Sequence, residues 1–567
     1  MRGKVGNEKL FVNARIFTSA PDDSVLYDAL LVRDGQVVSV GNRDETRAKA
    51  GEVSCSLRID NAHAQDAEVI NLDGKVILPG IIDAHTHLIM LGASYTKIDM
   101  IGKTNAQVQD ALRQAKKADS EYLLGKAFIF DALGSPPNRS TLDDAVPDIP
   151  VYIDSADVHS CWLNTKAIEL LGITKDTPNP DGGEFEKDEH GELTGLFKET
   201  AVTEFVWPYL SNLLTLDDRL QLLDMAFEGY LATGVTGVVD MAMQEEDLVA
   251  LEEYHKRRLG GLPISVAAHW ITHNTPTAES RIETVRTAAR HRDRLAAIDS
   301  PLKVVGIKII SDGVVDSCTA YLTKPYANGS QCGPIWPLEQ LKPIVALADS
   351  LGLQTAVHAI GDAASVAALD AFEYALEQNG EQPLPRFRIE HLEVVSEESI
   401  ARLTRLGVVA SLQPLHADPV YVPNWREQLG QDERCDRAFP WTEYEHSHVA
   451  FGSDAPTAPH HPFPNLYTAT TRRSGVDPTL PDPVDPRILS LDRFCLKLEA
   501  AIRYYTAGSA YSIRAAKERG TLEPGKTADF CVLSIDPFAQ GVETMRRAQQ
   551  GVLETWVNGE RVWQRSA

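Results

Sequence analysis

Eight short apolar runs recur between residues 81 and 454 with helical patterns between most of them, and this alternation constrains the fold more than any other feature. The runs are 81–87, 235–241, 264–270, 304–310, 354–359, 387–393, 408–413 and 449–454. They are rich in Val and Ile, as expected of strands buried on both faces of a parallel sheet. Strand-like runs alternating with helical stretches mark a parallel α/β fold, and eight is the number a closed (β/α)8 barrel needs. Helical patterns at 217–232, 338–350 and 362–377 fit the connectors, the first ending near Gly234 and the second just before Gly352. Glycine at such positions suits a helix C-terminus.

The two chain ends read differently. Residues 9–18, 29–40 and 67–72 look like short strands, with Asp34-Gly35 and Asp73-Gly74 as turns. The far end repeats this character at 528–533, 552–557 and 560–563, with Asn558-Gly559 as a hairpin turn. Neither fragment alone buries a core, so both are expected to join in one small β-sandwich, from residues 1–78 and 518–567, beside a barrel at 79–517. About 145 residues separate the first two barrel runs, far beyond a single βα connection. The reading is an inserted subdomain at about 90–230, after barrel strand 1 and lying over the barrel mouth, with strands near 122–130 and 151–155 and a helix near 165–171. The expected fold is thus α/β: a distorted TIM (β/α)8 barrel with a two-ended β-sandwich and a large insertion.

Length and charge narrow the partners. The chain has 567 residues, and 55 basic against 80 acidic residues give a net charge of −25. Such a balance argues against nucleic acid and against an anionic membrane surface. Seven scattered cysteines with no Cys-x-x-Cys pair fit reduced thiols rather than a disulfide framework. No apolar run reaches about 18 residues and the first residues carry no signal-peptide core, so a cytoplasmic enzyme is expected. The partners expected are a small-molecule substrate and, at most, a second copy of the chain as a homodimer.

The chemistry gathers where the apolar runs end. The first run closes on Asp83-Ala84-His85-Thr86-His87, and residues i and i+2 of a strand face the same side, so His85 and His87 can reach one metal ion. Alone, such a pair does ordinary hydrogen bonding about as well. Later runs add Lys308, His358, His391 and Asp454, and in a parallel barrel the carboxyl ends of the strands build the active site. Imidazole and carboxylate suit zinc or a similar divalent ion, one or two per chain. Lys308 is the odd member, since an ammonium repels a cation. It fits if carbon dioxide converts it to a carboxylated, anionic bridge; otherwise it is a plain ammonium that binds substrate or pairs with Asp312 or Asp454.

These stretches resemble the amidohydrolase superfamily, and within it the type-three, YtcJ-like branch that includes N-substituted formamide deformylases. The matching segments include PGIIDAHTH (79–87), IKIISDGVVDSCTA (307–320), VHAIGDAA (357–364), RIEHLEVV (388–395), SLQPLHAD (411–418), FGSDAP (451–456) and GTLEPGKTADFCVLSIDPF (520–538). The resemblance implies a distorted TIM barrel with a β-sandwich, and metal ligation by His85, His87, carboxylated Lys308, His358, His391 and Asp454. It also implies a pocket contact from His159. Two positions depart from the pattern: Val158 stands where the family usually has glycine, and Cys318 where a basic residue is common.

The implied reaction is metal-dependent hydrolysis of a non-peptide carbon–nitrogen bond, such as an N-acyl or N-formyl amine. A bound divalent ion lowers the pKa of water to about 7, and Asp454 is placed to carry the proton to the leaving amine. His159 and Asp312 either bind substrate, at the oxyanion or the amine, or only shape the pocket. The same ligands could serve a deaminase or a lactone or ester hydrolase. A non-enzymatic scaffold would be expected to have lost ligands, and all six are present.

Overall fold

A computed structural model describes the chain apart from residues 1–7, 22–24, 57–66, 157, 181, 299, 381–382, 423, 431–432, 478, 481–492, 547–549 and 567. Asp157, beside Val158 where the chain departs from the family pattern, and Asp181 therefore lie outside the described residues.

The eight apolar runs form eight consecutive neighbours of one parallel sheet. They are β1 (Ile81–Thr86), β2 (Val235–Met243), β3 (Ser265–Ile271), β4 (Leu302–Ile310), β5 (Gln354–Ala359), β6 (Phe387–His391), β7 (Val409–Leu412) and β8 (His448–Phe451). Each of the seven adjacent pairs is parallel. Helices Leu216–Leu231, Leu338–Ser350 and Asp362–Asn379 occupy the expected connectors.

The sheet closes without a full ladder between β8 and β1. The two strands meet past the end of β8, through a single parallel bridge, Thr86 to Ala455. The Asp454 N–H donates to the His85 carbonyl at 2.7 Å, and the His87 N–H donates to the Ala455 carbonyl at 3.0 Å. The buried Asp83 carboxylate accepts the Ser453 N–H at 2.8 Å and the His85 N–H at 3.2 Å, clamping the same seam. The barrel is distorted at the point where three candidate ligands sit.

Strands from both chain ends form one continuous hydrogen-bonded sheet of eight strands. The join is antiparallel, Val76–Pro79 against Phe530–Leu533. Phe11 from the amino end stands edge-on to Phe530 and Trp556 from the carboxyl end, each with ring centroids 5.1 Å apart. The two ends thus share one apolar core with Ile16, Leu30 and Ile77. The long segment after β1 carries its own six-stranded sheet, assembled from strands between Ile98 and Glu199. One apolar cluster of this segment contains Val108, Phe128 and Trp162, another Tyr152, Phe185 and Phe197. No described helix is long and apolar enough to cross a membrane.

Candidate metal centre

His85, near the end of β1, and His87, one residue past it, flank Thr86 and face one carboxylate. Asp454 Oδ1 lies 3.2 Å from His85 Nε2 and 3.1 Å from His87 Nε2. The other oxygen, Oδ2, lies 3.5 Å from Nε2 of His416, on the 3-10 turn Pro414–Ala417 after β7. Two groups of ligand atoms result, each within 4.8 Å: His85, His87 and Asp454, and His391, His416 and Asp454. The His391 and His416 rings are nearly parallel, with centroids 5.5 Å apart.

Three imidazoles are held by glutamates. Glu390 Oε2 stands 2.7 Å from His85 Nδ1, Glu393 Oε1 2.7 Å from His416 Nδ1, and Glu199 Oε2 2.7 Å from His159 Nδ1. A carboxylate at Nδ1 fixes the ring and leaves Nε2 as the ligating or accepting atom. Glu390 is itself clamped by Arg388, whose guanidinium donates to Glu390 Oε2 at 3.0 Å and to the Ala84 carbonyl at 2.8 Å. Arg388 and Glu390 are wholly buried.

Alternation along β6 would place Glu390 and His391 on opposite faces. Both serve the centre because His391 has left the strand conformation, with φ 80°, and Leu392 follows at φ 53°. Asp454, at φ 57°, leaves β8 in the same way. Val158, beside His159, has φ 64°. A β-branched residue rarely adopts this region, and it is the position where the resemblance leads one to expect glycine.

The remaining expected residues are distributed more widely. Lys308 Nζ lies 3.5 Å from His85 Nε2. The His358 ring packs edge-on to His391 with centroids 4.4 Å apart, but its Nε2 is 3.3 Å from the Gly313 carbonyl, in hydrogen-bond range. His358 is absent from both tight ligand groups. Asp312, expected at the substrate, does not line the cavity above the centre. Its buried carboxylate accepts the N–H groups of Tyr321, Ile360 and Gly361 at 2.9–3.1 Å, so it ties the loops after β4 and β5 together. His159 does line that cavity, its ring 5.7 Å from that of His358.

Burial and charge set the protonation states. Burial, with Lys308 and His159 adding repulsion, holds the His358 imidazole well below its usual range; burial and the neighbouring His358 do the same to His391. Burial pushes the Lys308 amine down to about 8, against the attraction of Glu390 and Asp454. Burial alone would raise Asp454, yet His85, His87 and His391 keep its carboxyl well below the usual carboxylate range. Burial opposes charge on His416 as well, but the carboxylates of Glu393 and Asp454 outweigh it and raise its pKa.

These residues suit a divalent cation. His391 Nδ1 and His416 Nε2 are buried and make no hydrogen bond among the described residues. An orphaned buried imidazole nitrogen is costly unless something accepts its lone pair or proton. Imidazole nitrogens around an ionised aspartate form a donor set that answers this need.

The centre forms the floor of an open cavity. Its walls come from the barrel loops and from the inserted segment, which contributes Phe128, Phe130 and His159; Tyr421 and Trp425 face them from the loop after β7. The insertion therefore lies over the barrel mouth. Sequence reasoning missed His416, Glu390, Glu393, Glu199 and Arg388 as members of the site. Three of them, Arg388, Glu390 and Glu393, stand within three residues of His391 in the run Arg388-Ile389-Glu390-His391-Leu392-Glu393.

The comparisons agree with this geometry. The amidohydrolase family's sequence pattern matches residues 68–563. YtcJ of Bacillus subtilis (strain 168), whose name places it among the amidohydrolases, is 29% identical over 560 residues, 95% of this chain and 96% of its own. An N-substituted formamide deformylase of Arthrobacter pascens is 25% identical over 572 residues, 97% of each chain. The crystal structure of an uncharacterized metal-dependent hydrolase from Pyrococcus horikoshii OT3 superposes with a TM-score of 0.73 at 27% identity, covering 94% of this chain and 99% of that one. On a pattern that spans most of its length and a barrel of the same kind, this chain belongs to the amidohydrolase family.

Proposed function

We propose that the chain hydrolyses a carbon–nitrogen bond in small non-peptide amides, N-acyl or N-formyl amines, with a divalent metal, zinc first among them. The observation that carries this reading is the ionised Asp454 carboxylate, set between His85, His87 and His416 on the cavity floor. The formamide deformylase among the relatives supports the choice of bond. His85, His87, His391 and Asp454 are the residues best placed to hold metal. Lys308 could join them in a carboxylated form, and its amine, pushed down to about 8, has the neutral form that takes up carbon dioxide within reach.

A metal bound there supplies Lewis acidity, polarising a carbonyl and making water more acidic at neutral pH. Asp454 accepts the proton of the attacking water and passes it to the departing amine, the general acid–base role. His159, paired with Glu199 through Nδ1, donates from Nε2 to the carbonyl oxygen in its doubly protonated form. Phe128, Phe130, Tyr421 and Trp425 exclude water and favour an apolar group on the amide nitrogen. Asp312 acts at a distance, by holding the loops after β4 and β5. The free cysteines among the described residues support a reducing, cytoplasmic setting.

The test is a panel of N-formyl and N-acyl amines run beside aminated heterocycles and lactones on metal-loaded protein. Acid plus amine is the expected product pair. Ammonia from a heterocycle, or turnover of lactones alone, would replace this reading with a deaminase or an esterase.

A further inference from the structure

We propose that the cavity above the centre selects amides that carry a second, protonated nitrogen: a diamine or an amino-guanidine acylated at one end, with a hydrogen-bond-donating cation at the other. This rests on the hydrolase reading above and names a substrate class for it.

The walls carry charge of one sign. No lysine or arginine is among the described residues that line the cavity, whereas Asp131, Asp316, Glu393 and Asp454 all line it. Lys308 stands against His85 and takes no part in the walls. Lys97 and Lys126 face a separate recess, where Lys97 pairs with Asp154 at 2.5 Å. A cleft lined by carboxylates between low-dielectric walls concentrates cations, and the chain's net charge of −25 adds to the same field.

The walls also hold acceptors that lack donors. Asp316, half-buried in the loop after β4, is fixed from the loop after β7. Trp425 Nε1 donates to its Oδ2 at 3.4 Å, and Asn424 Nδ2 donates to its carbonyl at 3.3 Å. With its amide nitrogen so committed, Asn424 is left with Oδ1, which is buried and accepts no hydrogen bond among the described residues. Glu393 is 5% exposed; Oε1 meets His416, and Oε2 makes no hydrogen bond among the described residues. Asp131, exposed on the turn Phe130–Ala132, makes neither an ion pair nor a side-chain hydrogen bond among them. Unpaired buried acceptors are costly, and an ammonium or guanidinium supplies N–H donors and counter-charge together. A quaternary ammonium would bring the charge without the donors. Phe130 and Tyr421, both half-buried, offer rings along which a methylene spacer and its cation can lie.

The experiment uses zinc-loaded, full-length protein and N-formyl amines matched in shape, with spacers of two to six carbons ending in an ammonium, a methyl or a carboxylate group. The ammonium series should exceed the methyl series in kcat/KM by about 10–100-fold, the range expected of hydrogen bonds to a charged group, with the carboxylate series lowest. Asp316→Asn should lower the ammonium-to-methyl ratio by about 10-fold, mainly through KM, and Asp131→Asn should lower it less because that carboxylate is exposed. Calorimetric binding of 5-aminopentan-1-ol against hexan-1-ol makes the same comparison without turnover. Equal kcat/KM for the ammonium and methyl series, or an unchanged ratio in Asp316→Asn, overturns the proposal and leaves the hydrolase reading standing. If no formamide is turned over and the amino alcohol still binds more tightly than hexanol, the cation site stands and the amide reading falls. No turnover with equal binding of the two alcohols sinks both.

Discussion

Gly452 backs directly onto His85: a Cβ at position 452 would stand 2.4 Å from the His85 amide nitrogen and 2.6 Å from its Cβ. No flexible side-chain end can yield there, because the obstructing atoms belong to the β1 backbone and the root of the ligand. Gly452→Ala should therefore displace His85, costing about 1–3 kcal/mol of overpacking strain and lowering zinc affinity. Denaturant unfolding and metal titration on the same sample check this. An unchanged zinc affinity would show that the seam between β8 and β1 is looser than described.

Glu390 carries two loads, orienting His85 and neutralising the buried Arg388. Burial opposes its charge, yet Arg388, His85 and Lys308 hold it well below the usual carboxylate range. Glu390→Gln keeps the shape and leaves Arg388 without a counter-charge. Breaking such a pair typically costs about 3–5 kcal/mol, and loss of the outer carboxylate lowers metal affinity by about 10–100-fold. Urea unfolding of the metal-free protein reads the first effect, and chelator competition well below the melting temperature reads the second.

Asp454→Asn removes the proton acceptor with little change of shape. The expected loss in kcat/KM is at least the roughly 10²–10⁴-fold of general acid–base catalysis, on any substrate from the panel. Metal content is measured alongside. Activity within a few-fold of wild type, with metal intact, would move the proton transfer to another group, with His159 next in line.

His159 lines the cavity and takes no part in either ligand group. His159→Ala should lower kcat by about 10²-fold if the ring holds the developing oxyanion, and leave the zinc count unchanged. A loss of zinc in this variant would mean that the ring belongs to the centre itself.

His269 gives a stability prediction with a definite sign. Burial, with Arg388 nearby, pushes its pKa from 6.5 down to about 3, and its Nε2 meets Gln354 Oε1 at 3.0 Å. A depressed folded-state pKa contributes stability that is fully present above pH 6.5 and is lost as the pH falls towards 3. At pH 5 the loss from this one group is about 2 kcal/mol. Asp83, raised by burial to about 7, acts in the opposite sense, since its contribution is lost as pH rises from 3.8 towards 7. The histidine's share is therefore read as a difference. The stability gap between wild type and His269→Gln should shift by about 2 kcal/mol between pH 7 and pH 5, moving in favour of the variant.

The barrel and the residues expected to hold metal were legible in the chain because each strand announces itself locally. An apolar β-branched run ending in a polar residue needs no knowledge of the rest of the molecule, and all eight runs became neighbouring strands. His85, His87, His391 and Asp454 could be named for the same reason. What no local pattern holds is backbone geometry beyond the strand ends. The left-handed turns at His391 and Asp454 bring Glu390 and His391 into one site although alternation separates them. His416, Glu393 and Glu199 matter only through partners 23 to 40 residues away along the chain, or farther. Asp312 was expected to bind substrate or to shape the pocket, and in the fold its carboxylate accepts three backbone N–H groups. Hydrophobic periodicity dictates where strands begin and end; which lone pairs face one another follows only when those strands close into a barrel.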